Sequence, residues 1–218
     1  MTRASLTISS KNYSAWSLRG WLLCRMAGLD FDEVTVDMDD QASRQELLLL
    51  SPSFLVPRLT HGPVSVWATI SIAEYLNETF PEAGLWPDEV AARAHCRSVS
   101  CEVMSGFYNL RSALPMNIRA HHDSFHVFAG ARPDLTRIEE IWTHCLEAYG
   151  GPYLFGARPT VADAMHAPIC TRLRTYSIEV PDPIREYVGT VYSWPLMDEW
   201  ITAALDEPHE IPELEVEF

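Results

Sequence analysis

The sequence predicts two structural units, an α/β domain in residues 1–80 and an all-helical domain in residues 90–218. Strand and helix signals alternate along the first unit, whereas only helical periodicity persists beyond it. Residues 81–89 contain two prolines and a glycine, a composition that is typical of linkers between domains. A chain of 218 residues is long enough for each unit to bury a core of its own.

Seven elements are predicted in the first domain, in the order β-α-β-α-β-β-α. Short β-branched runs predict the strands, and apolar residues three to four positions apart predict the helices, the first of which stops at Gly28. A turn at His61, Gly62 and Pro63 predicts a hairpin. A β-α-β start requires a parallel crossover, and the hairpin adds an antiparallel edge, so the order predicts a thioredoxin-like architecture. The elements are strand 5–9, helix 14–28, strand 31–36, helix 41–50, strands 56–60 and 64–67, and helix 69–79.

Five helices are predicted in the second domain from the same periodicity. In the second of them, apolar residues lie on one face until Gly150 and Gly151 end the helix. The acidic tail over residues 209–218 is expected to lie irregularly on the surface. The predicted helices are 91–114, 135–149, 160–174, 184–188 and 195–205.

Charge and hydropathy argue against several functional classes. The chain has 30 acidic and 16 basic residues and a formal net charge of −14, which repels phosphate backbones and argues against a nucleic-acid partner. No apolar run approaches the roughly 18 residues of a membrane helix. Because no cleavable signal peptide follows Met1, we expect a cytoplasmic protein without a membrane partner. The five cysteines include no C-x-x-C pair, so we expect reduced, mostly buried thiols.

Ser14 lies where the first predicted strand gives way to the first predicted helix. A hydroxyl at a helix N-terminus sits among unpaired backbone N–H groups and at the positive end of the helix dipole. The same position would stabilise a bound thiolate, because an anion there gains hydrogen-bond donors and a favourable field together. The alternative from the residue types alone is that Ser14 is only a helix cap.

Two further signals lie before the third strand and at the start of the last helix of the first domain. A cis bond between Val56 and Pro57 would expose the Val56 backbone groups to an extended peptide, whereas a trans bond would make Pro57 an ordinary start of a strand. Thr69 would cap its helix and leave its hydroxyl and the first N–H groups free for a carboxylate. The alternative for Thr69 is a plain cap without a ligand.

In this order, the three signals resemble the glutathione transferase family. The turn from Ser14 to Arg19 is similar to that of the zeta class and of related serine-type bacterial members. In the second domain, Thr160 and Asp163 resemble the family's helix-capping box, in which both side chains satisfy free N–H groups of a buried helix. Residues 109–116 are also similar to the family, so the resemblance spans essentially the whole chain.

The resemblance implies an enzyme that uses glutathione as a co-substrate, needs no metal and forms a homodimer. Ser14 would donate a hydrogen bond to the glutathione thiolate and lower the pKa of the thiol. Val56 would pair its backbone with the cysteinyl unit across a cis bond to Pro57, and Thr69 would hold the γ-glutamyl carboxylate. The activated thiol would attack a small electrophile or isomerise a double bond, as maleylacetoacetate isomerases of the zeta class do.

The second substrate would lie between the domains, at the helix after the linker and at the capped helix. Arginines there suit an anionic substrate, and aromatic or thioether side chains suit an apolar one; the alternative for each arginine is an ordinary ion pair or a solvated position. The candidates are Tyr108, Arg111, Met116, Arg174 and Tyr176, with Arg119 and Arg172 as further arginines.

The sequence departs from the family pattern near two of these positions. Ala68 stands where members usually carry Glu or Gln, and Phe54 and Leu55 stand where a small residue and often a Lys are usual. Because the loss of one charge-assisted hydrogen bond costs about 1.5–3 kcal/mol, we expect weakened glutathione binding. The alternative function is therefore a non-catalytic protein-interaction module with this fold. A thiol oxidoreductase would need a cysteine where Ser14 stands.

Overall fold

The structure, a computed structural model of the chain, describes residues 3–36, 56–123 and 125–215. The predicted helix 41–50 and the residues Phe54 and Leu55 lie outside the described residues. None of the helices in these three ranges is long and apolar enough to cross a membrane.

A four-stranded mixed sheet occupies the N-terminal part of the chain. Its strands are β1 (Ala4–Ile8), β2 (Phe31–Thr35), β3 (Arg58–His61) and β4 (Val64–Trp67). Across the sheet the order is β2-β1-β3-β4; β1 and β2 are parallel, and the other two pairs are antiparallel. The third strand begins two residues later than predicted, because Pro57 has no N–H group to donate to the ladder.

Within the described ranges, two helices pack with this sheet, α1 (Ala15–Met26) and α2 (Thr69–Thr79). α1 ends just before Gly28, whose φ of +68° stops the helix as predicted. Most of its residues are buried, because α1 contacts α2 as well as the helix Val161–Thr175 of the C-terminal part. This double burial explains why the apolar residues of α1 show mixed spacing instead of a single stripe. The N-terminal part therefore has the predicted thioredoxin-like arrangement.

The C-terminal part of the described chain is helical. Its helices are α3 (Val90–Ser105), α4 (Tyr108–Ala113), α5 (Arg132–Tyr149), α6 (Val161–Thr175), α7 (Asp182–Tyr192) and α8 (Pro195–Leu205). α6 is the central helix, since every residue in it except Arg174 is buried and it contacts both α1 and α3. The domain boundaries predicted at residues 80 and 90 stay a prediction.

Two helix predictions in this part were wrong. The single helix predicted over residues 91–114 is divided into α3 and α4. Phe107 has a φ of +58°, a left-handed conformation that interrupts a right-handed helix. The helix predicted at 184–188 is longer at both ends and includes Pro183 in its first turn. α5 likewise begins earlier than predicted and has Pro133 in its first turn, where the missing N–H group is not needed.

The predicted capping box is confirmed at the start of α6. The Thr160 N–H group donates to Asp163 Oδ2 at 2.7 Å, and the Thr160 hydroxyl donates to the same oxygen at 3.0 Å. Asp163 Oδ1 accepts from the Leu154 N–H group at 3.0 Å and from the Tyr187 hydroxyl at 3.2 Å. The carboxylate of Asp163 is fully buried, so these four bonds join the start of α6 to the preceding loop and to α7.

Candidate active site

The predicted glutathione-binding residues lie in segments next to three strands, at one end of the sheet. Thr7 of β1 is paired with Arg58 of β3, and Arg58 is paired with Trp67 of β4. The end of β1, the start of β3 and the end of β4 therefore lie side by side. The segments that continue from these strand ends contain Ser14, Val56, Pro57 and Thr69.

Ser14 is the N-cap residue of α1, as the capping interpretation predicts. Its backbone is extended, with φ −91° and ψ 98°, and its Oγ accepts a hydrogen bond from the Ser17 N–H group at 3.2 Å. A hydroxyl that accepts one hydrogen bond still has its own proton to donate. Capping the helix and donating to an anion at its N-terminus are therefore compatible roles for Ser14.

A tight turn over residues 10–13 leads into Ser14. The Ser14 N–H group donates to the Ser10 carbonyl at 3.1 Å. The Ser10 Oγ accepts from the N–H groups of Asn12 and Tyr13, both at 3.0 Å. One serine thus organises the backbone of the turn and the position from which Ser14 starts the helix.

The segment after α8 lies against this turn. Glu207 accepts hydrogen bonds from the Ser10 hydroxyl at 2.6 Å and from the N–H groups of Lys11 and Asn12 at 3.1 and 2.9 Å. Arg119 donates to the backbone carbonyls of Glu207 and His209. Glu207 is not among the residues predicted from the sequence, because its contacts reach about 195 positions along the chain and no local pattern marks it.

Tyr13 stands next to Ser14, but its hydroxyl is already engaged. It donates to a carboxylate oxygen of Glu215 and accepts from the Ile211 N–H group at 3.3 Å and from Arg119 at 3.1 Å. Burial and the Glu215 carboxylate raise the pKa of Tyr13. The Tyr13 hydroxyl therefore holds the C-terminal segment, and Ser14 is the better candidate for contact with a thiolate.

Pro57 is packed directly on α1. The bond between Val56 and Pro57 is cis, as the resemblance implies. A Cβ atom added at Gly20 in the middle of α1 would lie 2.4 Å from the Pro57 Cβ. The absence of a side chain at Gly20 is thus what allows the helix and the start of β3 to approach so closely.

Thr69 is the first residue of α2 and not its cap, which corrects the prediction. The N-cap residue is Ala68, which has a φ of +63° and no side chain that can accept a hydrogen bond from the first turn. The Thr69 side chain is nearly fully buried, and its hydroxyl has no hydrogen-bond partner among the described residues. A buried hydroxyl beside the free N–H groups of a helix N-terminus fits a carboxylate ligand.

Three arginines form a cationic cluster between α1, α4 and α6. They are Arg19, Arg111 and Arg172, of which Arg19 and Arg172 are at most 5% exposed. The guanidinium carbons of Arg19 and Arg111 lie 4.6 and 5.7 Å from the centre of the Trp16 ring. Since Trp16 is two residues from Ser14, the cluster lies beside the N-terminus of α1.

The like charges of the three arginines in this cluster repel one another. Burial, followed by the charges of Arg172 and Arg111, lowers the pKa of Arg19 well below its ordinary value. Burial lowers the pKa of Arg172 to about 10 and also lowers the pKa of Arg111, against the opposite effect of Asp134. Arg19 Nη1 and Arg111 Nε are buried without a hydrogen-bond partner among the described residues. Unpaired guanidinium N–H groups in one cluster favour the binding of an anion.

The structure does not bring the five predicted second-substrate residues together. Tyr108 is exposed at the start of α4, on the same helix as Arg111. Met116 and Tyr176 are core residues, and the Tyr176 hydroxyl donates to the Pro115 carbonyl at 3.0 Å. Arg174 lies over the Tyr192 ring at 4.2 Å and lines a groove of about 520 Å³ between α6 and α7.

Metal ligands are not clustered in the described ranges, where no group of three or more His, Cys, Asp or Glu side chains is arranged to hold an ion.

Of the further predicted arginines, Arg172 donates to the carbonyls of Leu114 at 2.8 Å and Pro168 at 2.9 Å, so its role includes joining α4 to α6. Arg119 binds the C-terminal segment.

Comparison with known proteins agrees with this fold. Residues 13–79 match the family model described as glutathione S-transferase, N-terminal domain. A probable maleylacetoacetate isomerase of Caenorhabditis elegans is 24% identical over 176 residues, which cover 77% of this chain and 80% of that protein. Glutathione S-transferase 1 of Dianthus caryophyllus is 28% identical over 156 residues, which cover 71% of this chain and 70% of that protein.

Solved structures show the same architecture. A glutathione transferase homologue from Burkholderia with bound glutathione is 23% identical and superposes with a TM-score of 0.69, covering 95% of this chain and all of that chain. Maleylacetoacetate isomerase from Anaeromyxobacter dehalogenans with glutathione in its active site is 20% identical, with a TM-score of 0.67 over 95% of this chain and 99% of that chain. Residues 13–79 thus match the N-terminal domain of glutathione S-transferases, and the chain has the fold of the solved glutathione transferases to which it is similar.

Proposed function

We propose that the chain is a glutathione-dependent enzyme of the glutathione transferase type, which activates the glutathione thiol at Ser14. The activated thiol attacks a small electrophile or isomerises a double bond. One observation carries the proposal: Ser14, Val56 and the buried Thr69 hydroxyl lie in segments that follow β1, precede β3 and follow β4, and these three strand ends lie side by side. Relatives named as glutathione S-transferase and maleylacetoacetate isomerase support it.

Ser14 is proposed to stabilise the thiolate by donating its hydroxyl proton. The Ser14 Oγ already accepts from the Ser17 N–H group, which orients the hydroxyl at the helix N-terminus. A sulfur anion at this position gains the hydroxyl donor, the free N–H groups of the first turn and the positive end of the α1 dipole. These effects act on the thiolate and not on the thiol, so they lower the thiol pKa.

The rest of glutathione is proposed to bind at the same end of the sheet. The Val56 backbone pairs with the cysteinyl unit, and Thr69 with the first N–H groups of α2 holds the γ-glutamyl carboxylate. The Thr69 hydroxyl, which has no hydrogen-bond partner in the described part of the chain, supports this assignment. Ala68 contributes no side-chain contact, so we expect glutathione to bind more weakly than it would with Glu or Gln at that position.

The second substrate is proposed to be anionic and to bind at Arg111, with Tyr108 beside it on α4. Arg111 is only partly buried, whereas Arg19 behind it is 1% exposed. The mutual repulsion of the arginine cluster is relieved when a carboxylate or another anion binds. Met116 and Tyr176 are buried in the core and are not part of this proposed site, and Arg174 lies in the separate groove between α6 and α7.

Both reactions begin with the same step. The thiol proton leaves to solvent, and the thiolate sulfur forms a bond to an electrophilic carbon of the second substrate. In a transfer, a leaving group departs with its electron pair. In an isomerisation, the sulfur adds to one carbon of the double bond while the π electron pair moves onto an adjoining carbonyl group of the substrate; the remaining single bond rotates, and the returning pair re-forms the double bond as the thiolate leaves. A cytoplasmic location and a homodimer remain predictions beside this proposal.

The experiment that tests the role of Ser14 compares wild-type protein with Ser14→Ala and Ser14→Thr. We expect kcat with 1-chloro-2,4-dinitrobenzene to fall roughly ten- to a hundred-fold in the alanine variant, with a small change in KM for glutathione, because one charge-assisted hydrogen bond is lost. The threonine variant keeps a hydroxyl and should retain most of the activity. Unchanged kcat in Ser14→Ala would remove Ser14 from the mechanism.

Titration calorimetry with glutathione tests the alternative of a non-catalytic module. Heat of binding at millimolar or lower concentration supports the enzyme. No heat at millimolar glutathione, together with no turnover, would contradict the proposal and favour the interaction module.

Matched arginine variants test the anionic second substrate. Arg111→Met should lower kcat/KM for a carboxylate-bearing electrophile about ten-fold and leave that for a neutral electrophile nearly unchanged. Arg174→Met makes the same change of charge in the groove between α6 and α7 and should affect neither substrate. An equal loss for both electrophiles in Arg111→Met would contradict the assignment.

A further inference from the structure

Trp200 of α8 and Glu207 after it both hold the turn that leads into Ser14. The Trp200 Nε1–H group of α8 donates to the Lys11 carbonyl at 3.0 Å. The Glu207 carboxylate accepts from the Ser10 hydroxyl and from the N–H groups of Lys11 and Asn12. One acidic side chain thus satisfies three donors of a four-residue turn.

These contacts form a short relay to Ser14. Because the Ser10 hydroxyl donates its proton to Glu207, its lone pairs face the N–H groups of Asn12 and Tyr13. The Ser10 carbonyl in turn accepts from the Ser14 N–H group. The Glu207 carboxylate therefore orients Ser10. Ser10 in turn fixes the backbone of the turn and the position of Ser14, the N-cap residue of α1.

A second set of contacts fixes the position of Glu207 itself. Arg119 donates to the Glu207 and His209 carbonyls, and its own N–H group donates to Asn12 Oδ1 at 2.9 Å. The Asn12 Nδ2–H group donates to Asn117 Oδ1 at 2.9 Å. The turn is consequently enclosed between the segment after α8 and residues 117–119, both of which belong to the C-terminal part.

We infer that Glu207 is a positioning residue for Ser14, acting through Ser10, and that the segment after α8 thereby belongs to the active site. This inference rests on the proposed function. Glu207 does not contact the reacting sulfur in this arrangement; it holds the turn in the geometry from which the Ser14 hydroxyl meets the thiolate. Small displacements of a donor reduce rate more than they reduce substrate binding when the donor acts mainly in the transition state.

The test uses two substitutions that separate position from charge. Glu207→Gln keeps the length of the side chain but replaces one acceptor by a donor, whereas Glu207→Asp keeps the charge but withdraws it from the turn. We expect both to lower kcat about ten-fold with KM for glutathione changed by less than about three-fold. Glu210→Gln, at an exposed position of the same segment, makes the same charge change and should match wild type.

Hydrogen exchange of the Lys11 and Asn12 amides gives a readout that does not depend on activity, and it should be faster in both Glu207 variants. Ser10→Ala removes the middle of the relay, and its combination with Glu207→Gln should be clearly less than additive in kcat. If Glu207→Asp matches wild type while Glu207→Gln does not, only the charge matters and the inference is overturned.

Two other outcomes separate the inference from the proposed function. An active wild-type protein whose Glu207 variants keep full kcat despite faster amide exchange contradicts the inference alone. A wild-type protein that neither binds nor uses glutathione contradicts the proposed function, whatever the exchange rates are. If the Glu207 variants unfold below the assay temperature while Ser10→Ala stays folded and fully active, the role of Glu207 is structural and the inference is overturned.

Discussion

Gly20 of α1 and Pro57 at the start of β3 are in such close contact that a Cβ atom at Gly20 would lie 2.4 Å from the Pro57 Cβ and 2.7 Å from its Cγ. Gly20→Ala should therefore lower the free energy of unfolding by about 1–3 kcal/mol, although alanine is the better helix former. Urea denaturation at equilibrium measures the change. Because the added methyl group would push Pro57 and the neighbouring Val56 away from α1, glutathione affinity should fall as well.

Gly189 in α7 provides the matched control for this substitution. A Cβ atom there would meet nothing within 4 Å, so Gly189→Ala should raise the free energy of unfolding by about 0.5–1 kcal/mol through helix propensity alone. If Gly20→Ala is as stable as wild type, α1 and the start of β3 can move apart without cost, and the expected loss of stability is contradicted.

Asp163 should be one of the most sensitive positions for stability. Asp163→Ala leaves the N–H groups of Thr160 and Leu154 and the Tyr187 hydroxyl without their acceptor in a buried region, and we expect a loss of about 3–5 kcal/mol. Asp198 lies in the first turn of α8 and is exposed. Asp198→Ala should change stability by less than about 1 kcal/mol, and a comparable loss at both positions would contradict the argument.

Thiol reactivity should reveal one accessible cysteine. Cys101 is exposed, whereas Cys24, Cys96, Cys145 and Cys170 are fully buried. Burial raises the pKa of Cys96 and of Cys145 to about 12. Titration of the native protein with a disulfide reagent should modify one thiol rapidly and four more after denaturation, and Cys101→Ser should abolish the rapid phase. Two or more rapid thiols in the native protein would contradict the burial of the others.

His166 should make the protein less stable as the pH falls. It is fully buried, its Nδ1 accepts from the Trp142 Nε1–H group at 2.8 Å, and burial followed by the charge of Arg19 lowers its pKa to about 3. The unfolded chain binds this proton near pH 6.5 and the folded chain does not, so the contribution of His166 is complete above pH 6.5 and is lost as the pH falls toward 3.

The measurable consequence is a steeper decline of the unfolding free energy below pH 6.5 in wild type than in His166→Asn, by roughly 1 kcal/mol per pH unit. Asparagine keeps an acceptor for Trp142 and does not titrate in this range. Urea denaturation at several pH values between 4 and 8 supplies the slopes. Parallel slopes for the two proteins would show that His166 becomes protonated in the folded state.

Local signals predicted most of the elements well. The hairpin is present, and β4, α2 and α8 have the predicted bounds, because turn residues and periodicity act over a few neighbouring positions. Phe107 was missed because a left-handed residue other than glycine carries no signal of its own. The role of Ser14 as a cap and the capping box of Thr160 and Asp163 were predictable for the same reason as the hairpin.

Contacts between distant segments were beyond the sequence. Periodicity indicates that a face is buried but not which element covers it, so Arg174 and Arg172 looked equivalent although they lie on different sides of α6. In the same way, nothing around Glu207 marks it as a partner of Ser10.

The sequence by itself determined the order of the described elements in the N-terminal part, its thioredoxin-like arrangement and the position of Ser14 at a helix N-terminus, since each of these depends on residues close together in the chain. Only the tertiary structure decided which arginines meet beside Trp16, that the Thr69 hydroxyl is buried without a partner among the described residues, and which acid holds the turn before Ser14. The physical reason is that burial and hydrogen-bond satisfaction are set by segments that come together only when the whole chain folds.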